Sequence, residues 1–157
     1  MTELKAGQVA ERPARESIDG AAARWTAADV MSAPVVAISV RDNLWSAWTA
    51  LYQGGFRHLV VLDGTRCVGI IDDRRIVQEW PLGVLRGSQL TVGEVIRKRI
   101  RCVLSETPVP RIARIMLDEQ MDAVPVVSQR GEIVGLVTAS DLLTLMAAEE
   151  RTAGASS

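Results

Sequence analysis

An internal repeat constrains the fold of this chain more than any other feature of its sequence. Residues 37–77, moved forward by 66 positions, fall on residues 103–143 without a gap. A one-residue slip extends the match upstream, where Thr26 to Met31 meets Thr91 to Ile96. Two copies are too few for an open solenoid, which needs about three or more repeats for stability. We therefore predict a closed pair of similar halves that pack face to face.

Each copy is predicted to run strand, helix, strand, strand, helix, which places the chain in the mixed α/β (α+β) class. The predicted elements of the first copy are a strand Val35–Val40, a helix from Leu44 that ends at Gly54-Gly55, strands Leu59–Leu62 and Cys67–Ile71, and a helix Arg74–Trp80. Those of the second are a strand Ile100–Leu104, a helix begun by Pro108, two apolar strands around the turn at Gly131, and a helix after Val137. Pro125 has no N–H to donate, so we expect it at the mouth or edge of its strand.

Length and composition limit the kind of protein. The 157 residues allow one domain, or two small half-domains with a shared core. A net charge of -1 argues against electrostatic binding to nucleic acid, and no apolar run approaches the roughly 18 residues of a membrane span. The charged N-terminus does not resemble a secretory signal. Cys67 and Cys102 lack CxxC spacing and are expected to be buried structural thiols, so the predicted location is cytoplasmic.

The repeat and the composition together divide the chain into five parts. Residues 1–24 form a polar N-terminal arm, 25–80 the first motif and 81–90 a linker that contains Gly83 and Gly87. Residues 91–147 form the second motif, and 148–157 are predicted to be a flexible tail.

The second copy carries the most specific motifs. Val124-Pro125-Val126-Val127, followed by Gly135-Leu136-Val137-Thr138-Ala139-Ser140-Asp141-Leu142-Leu143, resembles the CBS domain, named after cystathionine β-synthase. Two copies in one chain resemble a CBS pair, or Bateman module, over about residues 26–146. The resemblance implies two βαββα motifs that pack through their sheets about a pseudo-twofold axis and leave two clefts between them. It also implies an adenosine-containing ligand in one or both clefts, such as AMP, ADP, ATP or S-adenosylmethionine.

The same resemblance implies a set of ligand-binding residues. Asp141 would accept both ribose hydroxyls, and the hydroxyls of Thr138 and Ser140 would meet the phosphates. The adenine would lie against the other copy, on residues Ser32, Val35, Val36, Phe56, Arg57 and His58. One ionised carboxylate can accept from two vicinal hydroxyls, and the planar guanidinium of Arg57 is suited to a phosphate.

The other cleft departs from the family pattern. Where the second copy has Thr138 and Asp141, the first has Asp72 and Arg75. Arginine accepts no hydrogen bonds and so cannot replace a ribose-binding carboxylate, while Asp72 would repel a phosphate. We therefore predict that this cleft is empty or binds something other than an ordinary nucleotide.

Several polar groups also have a structural interpretation. Thr138 to Asp141 is an ordinary capping box as well as a ligand motif, and His58 can be a packed strand histidine. The adjacent side chains of Asp72-Asp73 point apart, and the motif offers no companion ligands, which favours solvent exposure or helix capping over a metal site. The basic cluster Arg97-Lys98-Arg99-Ile100-Arg101 lacks interleaved aromatics, which favours a solvated loop over a nucleic-acid or polyphosphate contact.

The long helix of the first copy carries Trp45, Trp48 and Tyr52 at helical spacing, where the second copy has Arg111, Arg114 and Asp118. Core packing accounts for Trp48, but a core this small is not expected to bury Trp45 as well. Surface aromatics favour association, and CBS pairs commonly dimerise through these helices. A homodimer with Trp45 near its interface is therefore expected.

The leading hypothesis is a non-catalytic regulatory module without cofactor or metal, which binds an adenine nucleotide and signals to an unknown protein partner by a change in shape or association. The alternative is a ligand-free structural or interaction protein of the same architecture. A hydrolase using Asp141 is disfavoured, because no second titratable group accompanies that carboxylate in the motif.

Overall fold

The computed structural model describes residues 24–79, 90–96 and 100–154, with side chains as far as residue 151. The N-terminal arm up to residue 23, most of the predicted linker, Trp80, and Arg97, Lys98 and Arg99 of the basic cluster lie outside the described residues.

Within residues 24–79, the first copy of the repeat has three strands and three helices, bounded as follows: α1 Ala27–Val30, β1 Ala37–Ser39, α2 Leu44–Gly54, β2 His58–Asp63, β3 Arg66–Asp72 and α3 Asp73–Glu79. Helix α2 begins at Asn43, whose side chain accepts a hydrogen bond from the Ser46 N–H at 2.8 Å. It ends at Gly55, which has a φ of 65°. That left-handed conformation explains the glycine at this position, as the sequence predicted.

The second copy repeats the same order, with these bounds: α4 Val92–Val95, β4 Val103–Leu104, α5 Val109–Asp118, β5 Ala123–Val127, β6 Ile133–Thr138 and α6 Ala139–Gly154. The short helices α1 and α4 both begin with a capping box. Asp29 accepts hydrogen bonds from the backbone and hydroxyl of Thr26, and Glu94 accepts the same pair from Thr91. The upstream match in the sequence is therefore a match of helix starts.

The two sheets have the same topology. Each has three strands, in the orders β1-β2-β3 and β4-β5-β6, with the first pair parallel and the second antiparallel. Ala37 pairs with Val60 in one sheet, and Val103 pairs with Val126 in the other. Both pairs are related by the shift of 66 residues that the sequence showed, so the repeat fixes strand register as well as strand order.

Each half is completed by a segment from the opposite copy. Ala27 on α1 is buried in the core of the second half, and its N–H donates to the Thr107 carbonyl at 2.8 Å. Val92 on α4 is buried in the core of the first half, and its N–H donates to the Asp42 carbonyl at 2.7 Å. We call residues 26–32 and 91–96 the exchanged segments. Because of them, neither physical half is a continuous stretch of sequence.

A third apolar cluster lies between the sheets. Its buried members are Val60 on β2, Ala123 on β5 and Leu136 on β6, with Val35 and Ile70 packed against them. The two motifs therefore pack through their sheets, which confirms the predicted architecture.

Three details of the structure differ from the predictions. Strand β1 is shorter than Val35–Val40, and β4 is shorter than Ile100–Leu104. Pro125 lies in the middle of the central strand β5 rather than at its mouth. It is tolerated there because β4 pairs only with the two residues that follow it, so the ladder on that side begins after the proline.

The third difference concerns the last helix, since α6 continues to Gly154 through residues that were assigned to the flexible tail. Residues 147–151 are good helix formers, and Glu149 is held by hydrogen bonds from Arg24 and from the Trp25 indole, each 2.7 Å long. This contact fixes the last turns of α6 against the start of the described chain.

Candidate functional site

Two clefts lie between the halves, and the first contains most of the predicted ligand-binding residues. We call it the Thr138 cleft. It is a cavity of about 450 Å³, within the usual range for small-molecule sites. Its lining residues are Ser32, Gly55, Phe56, Arg57, His58, Arg74, Asp122, Leu136, Thr138, Ala139 and Ser140.

One wall of the Thr138 cleft is the junction of β6 and α6. Asp141 caps this helix, because its Oδ2 accepts hydrogen bonds from the N–H and the hydroxyl of Thr138, both at 2.7 Å. The capping interpretation of this motif is therefore correct. Asp141 is the one predicted polar ligand residue that does not line the cavity. In the described part of the chain, its Oδ1 has no hydrogen-bond partner.

The opposite wall is the turn between α2 and β2. Gly54 and Gly55 allow this turn, since a Cβ on Gly54 would overlap the ring of Phe56, and Gly55 has a positive φ. Phe56 is 46% exposed, and Arg57 is also exposed. An aromatic face and a cationic fork thus stand opposite the hydroxyls of Thr138 and Ser140.

The three ligand-binding residues predicted near the first strand lie in three different parts of the structure. Ser32 reaches the cleft because it forms two backbone hydrogen bonds with Leu136, at 2.9 and 3.1 Å. Val35 instead packs between the sheets, and Val36 packs against the core of the first half. Of these three residues, the structure brings only Ser32 to the cavity.

The second cleft, which we call the Asp72 cleft, is a cavity of about 530 Å³ on the pseudo-symmetric side. Asp72 Oδ1 accepts a hydrogen bond from the Arg75 N–H at 2.6 Å. The Arg75 side chain donates to the Val95 carbonyl at 2.7 Å and pairs with Glu79 at 3.1 Å. Arg75 thus occupies the position that Asp141 has in the other copy, and it ties α3 to an exchanged segment.

Two residues that sequence reasoning did not select line both clefts: Arg74 and Asp122. Asp122 also lies 3.1 Å from His58, measured from Oδ1 to Nε2. The repeat contained a signal for Asp122, because the shift of 66 residues places it on Phe56. A residue that aligns with a predicted ligand contact in one copy was a candidate in the other.

The two cysteines interact across the halves. Cys67 on β3 and Cys102 before β4 are both partly buried rather than fully buried. A hydrogen bond from Cys67 lowers the pKa of the Cys102 thiol, and the same bond together with burial raises the pKa of Cys67. Cys102 is therefore the thiol that ionises first.

A family model described as the CBS domain matches residues 27–81 and 92–148. The chain belongs to the CBS domain family. The match occurs twice, so the protein is a CBS pair, as its repeat predicted. In the described residues, no helix is both long and apolar enough to cross a membrane.

Comparisons with known proteins agree with this assignment. The chain is 34% identical over 122 residues to the A-adding tRNA nucleotidyltransferase of Geobacter sulfurreducens, a match that covers 77% of this chain but only 13% of that enzyme. It is 29% identical over 118 residues to hypoxic response protein 1 of Mycobacterium tuberculosis, covering 74% of this chain and 82% of that protein.

Two crystal structures share the CBS-pair fold. Hypoxic Response Protein I with two coordinated zinc ions aligns at a TM-score of 0.67 and 28% identity, over 76% of this chain and 98% of that one. The CBS domain pair of protein MJ0100, in complex with 5′-methylthioadenosine and S-adenosyl-L-methionine, aligns at 0.70 and 24% identity, over 80% of this chain and 98% of that one. The second likeness shows the fold alone.

Proposed function

We propose that this CBS pair is a non-catalytic regulatory module that binds an adenosine-containing ligand in the Thr138 cleft. The observation that carries the proposal is the composition of that cleft. It joins Phe56 and Arg57 of the first half to Thr138 and Ser140 of the second around one cavity of ligand size. The ligands described for the CBS pair of protein MJ0100 support an adenosine derivative.

Each group on the walls matches one part of such a ligand. The exposed ring of Phe56 offers a face on which a purine can stack, and the guanidinium of Arg57 suits a phosphate or a carboxylate. The hydroxyls of Thr138 and Ser140, with the first N–H groups of α6, favour an anion. Because Phe56 and Arg57 belong to the first half and Thr138 and Ser140 to the second, such a ligand would contact both halves of the interface.

We propose the ribose contact for Asp141, although it does not itself line the cavity, so its side chain would have to turn Oδ1 toward a ligand in the cleft. Its Oδ2 is used by the helix cap, and Oδ1 is the acceptor that remains for the ribose hydroxyls. The carboxylate would thus serve two purposes, since it would cap α6 and also orient the sugar. A variant that keeps the cap but loses the negative charge separates these two effects.

The Asp72 cleft is not assigned to a nucleotide, although it is slightly larger. Volume alone does not select a ligand, and here a carboxylate and a guanidinium replace the hydroxyl and the carboxylate of the other cleft. We propose one adenosine ligand per chain for this reason.

Signalling follows from the position of the ligand. A ligand that contacts both halves favours one relative orientation of the two sheets, and binding must shift the equilibrium by its differential affinity for the two orientations. We propose that this change is read through a homodimer or a separate protein. The helix α2 is the proposed dimer surface, because Trp45 is 51% exposed and Tyr52 is 79% exposed.

Thermal unfolding with a panel of AMP, ADP, ATP, S-adenosylmethionine and 5′-methylthioadenosine tests the proposal. A ligand present at 100 times its Kd should stabilise the protein by about 2.7 kcal/mol. Phe56→Ala and Arg57→Ala should remove most of this shift. Gln78→Ala changes an exposed residue of the Asp72 cleft and is the matched control that should retain it.

Asp141→Asn is the sharper variant. Its amide oxygen still accepts from the Thr138 N–H, so the unliganded protein should stay folded, while the charge that receives the ribose hydroxyls is lost. We expect stability near that of wild type and clearly weaker binding. If no ligand of the panel shifts the unfolding temperature of the wild type, the adenosine proposal is wrong.

That negative result would support the alternative, a ligand-free interaction module. The feature that favours this alternative is the Asp72 cleft, where one of the two family sites has already lost its ribose-binding carboxylate.

A further inference from the structure

One histidine and two carboxylates from separate parts of the sequence converge between the two clefts. His58 is the first residue of β2, and Asp72 is paired with it as the last residue of β3. Asp122 precedes β5 of the other half. The candidate ligand atoms of these three side chains all lie within 4.8 Å of one another.

The arrangement leaves one donor atom available on each side chain. His58 is nine-tenths buried and presents Nε2 to Asp122 Oδ1 at 3.1 Å. Asp72 caps α3 with Oδ1, and its second oxygen has no hydrogen-bond partner among the residues that the structure describes. The side chain of Asp122 is 47% exposed, which keeps the cluster open to solvent and to both clefts.

We propose that His58, Asp72 and Asp122 form a binding site for a divalent transition-metal ion of the zinc class. Zinc accepts histidine nitrogen and carboxylate oxygen at about 2.0–2.2 Å, and tetrahedral ligands at that distance lie about 3.4 Å apart. The three atoms therefore need only a small contraction of the cluster. Because one ligand is an imidazole nitrogen, the site favours zinc, cobalt or nickel over magnesium and calcium.

The charges of the cluster agree with a divalent ion. Two carboxylates and a neutral imidazole balance two positive charges, and the side-chain hydrogen bond of His58 to Asp122 would be exchanged for a bond to the metal. Arg75 is held by Val95 and Glu79, so it is turned to other partners. Arg74 lines both clefts, so it is a further positive charge close to the cluster.

A metal at this position would have a structural consequence. His58 and Asp72 belong to the first half and Asp122 to the second, so one ion would bridge the interface beside both clefts. It would stabilise one relative orientation of the sheets, independently of any nucleotide.

Isothermal titration of the untagged full chain with zinc chloride, after treatment with EDTA, tests the site. We expect one zinc ion per chain. His58→Gln, Asp72→Asn and Asp122→Asn should each weaken zinc binding by at least about tenfold. Asp73→Asn, which changes the neighbouring carboxylate outside the cluster, should leave the zinc affinity unchanged.

Two further measurements keep the result decisive. Circular dichroism of the metal-free variants shows whether each is folded, and the visible absorption of a cobalt-substituted protein shows a nitrogen- and oxygen-coordinated ion without a thiolate charge-transfer band. Zinc binding that survives in His58→Gln and Asp122→Asn overturns the proposal. Loss of binding in Cys67→Ser instead would assign the metal to the thiols and would overturn it equally.

Discussion

The substitution Gly135→Ala probes how tightly the exchanged segment of the first copy is packed on the second half. Gly135 on β6 lies directly beneath Met31. A Cβ at this position would overlap Met31 Sδ and would lie 2.8 Å from Cγ and 3.1 Å from Cβ of the same residue. Rotation of the methionine can clear the sulfur, but it cannot clear Cβ, which is fixed to the backbone of the segment.

Two opposing terms set the size of the effect. Overpacking by one methyl group costs about 1–3 kcal/mol of stability. Replacing glycine by alanine within a strand returns about 0.5–1 kcal/mol, because the unfolded chain loses conformational freedom. The net expectation is a loss of about 1 kcal/mol, and at most about 2.5 kcal/mol when both terms are taken at their unfavourable ends.

Urea denaturation followed by circular dichroism measures this loss. With a slope of about 1–3 kcal/mol/M for a small protein, a loss of 1 kcal/mol lowers the midpoint by roughly 0.3–1 M. Gly69→Ala is the pseudo-symmetric comparison, and the atoms nearest to its Cβ would all belong to Ile96, with Cδ1 at 2.9 Å and Cβ at 3.4 Å. It should therefore cost less than Gly135→Ala.

A double-mutant cycle decides whether the clash is the cause. A Met31→Ala background removes Sδ and Cγ but keeps Cβ, 3.1 Å from the methyl group that Gly135→Ala adds, so the cost of that substitution should shrink without disappearing. If Gly135→Ala is as stable as wild type, or costs the same in both backgrounds, the described packing of the exchanged segment is wrong.

Three other predictions follow from titratable groups and exposed aromatics. Hydrogen bonds lower the pKa values of three carboxylates. The main donor is the Thr26 backbone for Asp29, the Thr91 backbone for Glu94 and the Trp25 side chain for Glu149. The pKa values of these carboxyls are lower in the folded than in the unfolded protein. Their contribution to folding stability is therefore complete above the ordinary pKa values, 3.8 for aspartate and 4.5 for glutamate, and it is lost as the pH falls through the lowered values. The unfolding temperature should fall below about pH 4.5, and the triple amide variant should show a shallower fall; equal slopes would contradict this origin. Alkylation with iodoacetamide at mildly alkaline pH, followed by peptide mass spectrometry, should label Cys102 before Cys67, since the pKa of Cys102 is the lowered one; the reverse order would refute the assignment. Trp45→Glu should convert a dimer to a monomer in light scattering without loss of helical signal, whereas an unchanged mass would remove α2 from the interface.

The sequence predicted the features that depend on the repeat. The shift of 66 residues gave the repeated order of strands and helices, whereas the cleft that joins Phe56 to Thr138 was implied by the resemblance to the CBS domain. The alternation of side chains along an extended chain would also have warned that Val35 and Val36 face opposite sides. Neither of them lines the cleft.

Other features depend on contacts that no local pattern shows. The two exchanged segments have the same capping box, so the sequence alone would also allow each of them to pack on the half formed by its own copy. The packing of Ala27 and Val92 shows that each packs on the opposite half. His58 and Asp122 are 64 residues apart and meet only when the sheets pack. The length of α6 depends in the same way on the contact of Glu149 with Trp25.

Native mass spectrometry of the protein with the adenosine panel is the decisive test of adenosine binding in the Thr138 cleft, because it counts the ligands on each chain. We predict one adenosine-containing ligand per chain in the wild type, and none in a Phe56→Ala, Arg57→Ala double variant that remains folded. Two ligands per chain, or one ligand that survives in the double variant, would contradict the assignment of the site to the Thr138 cleft.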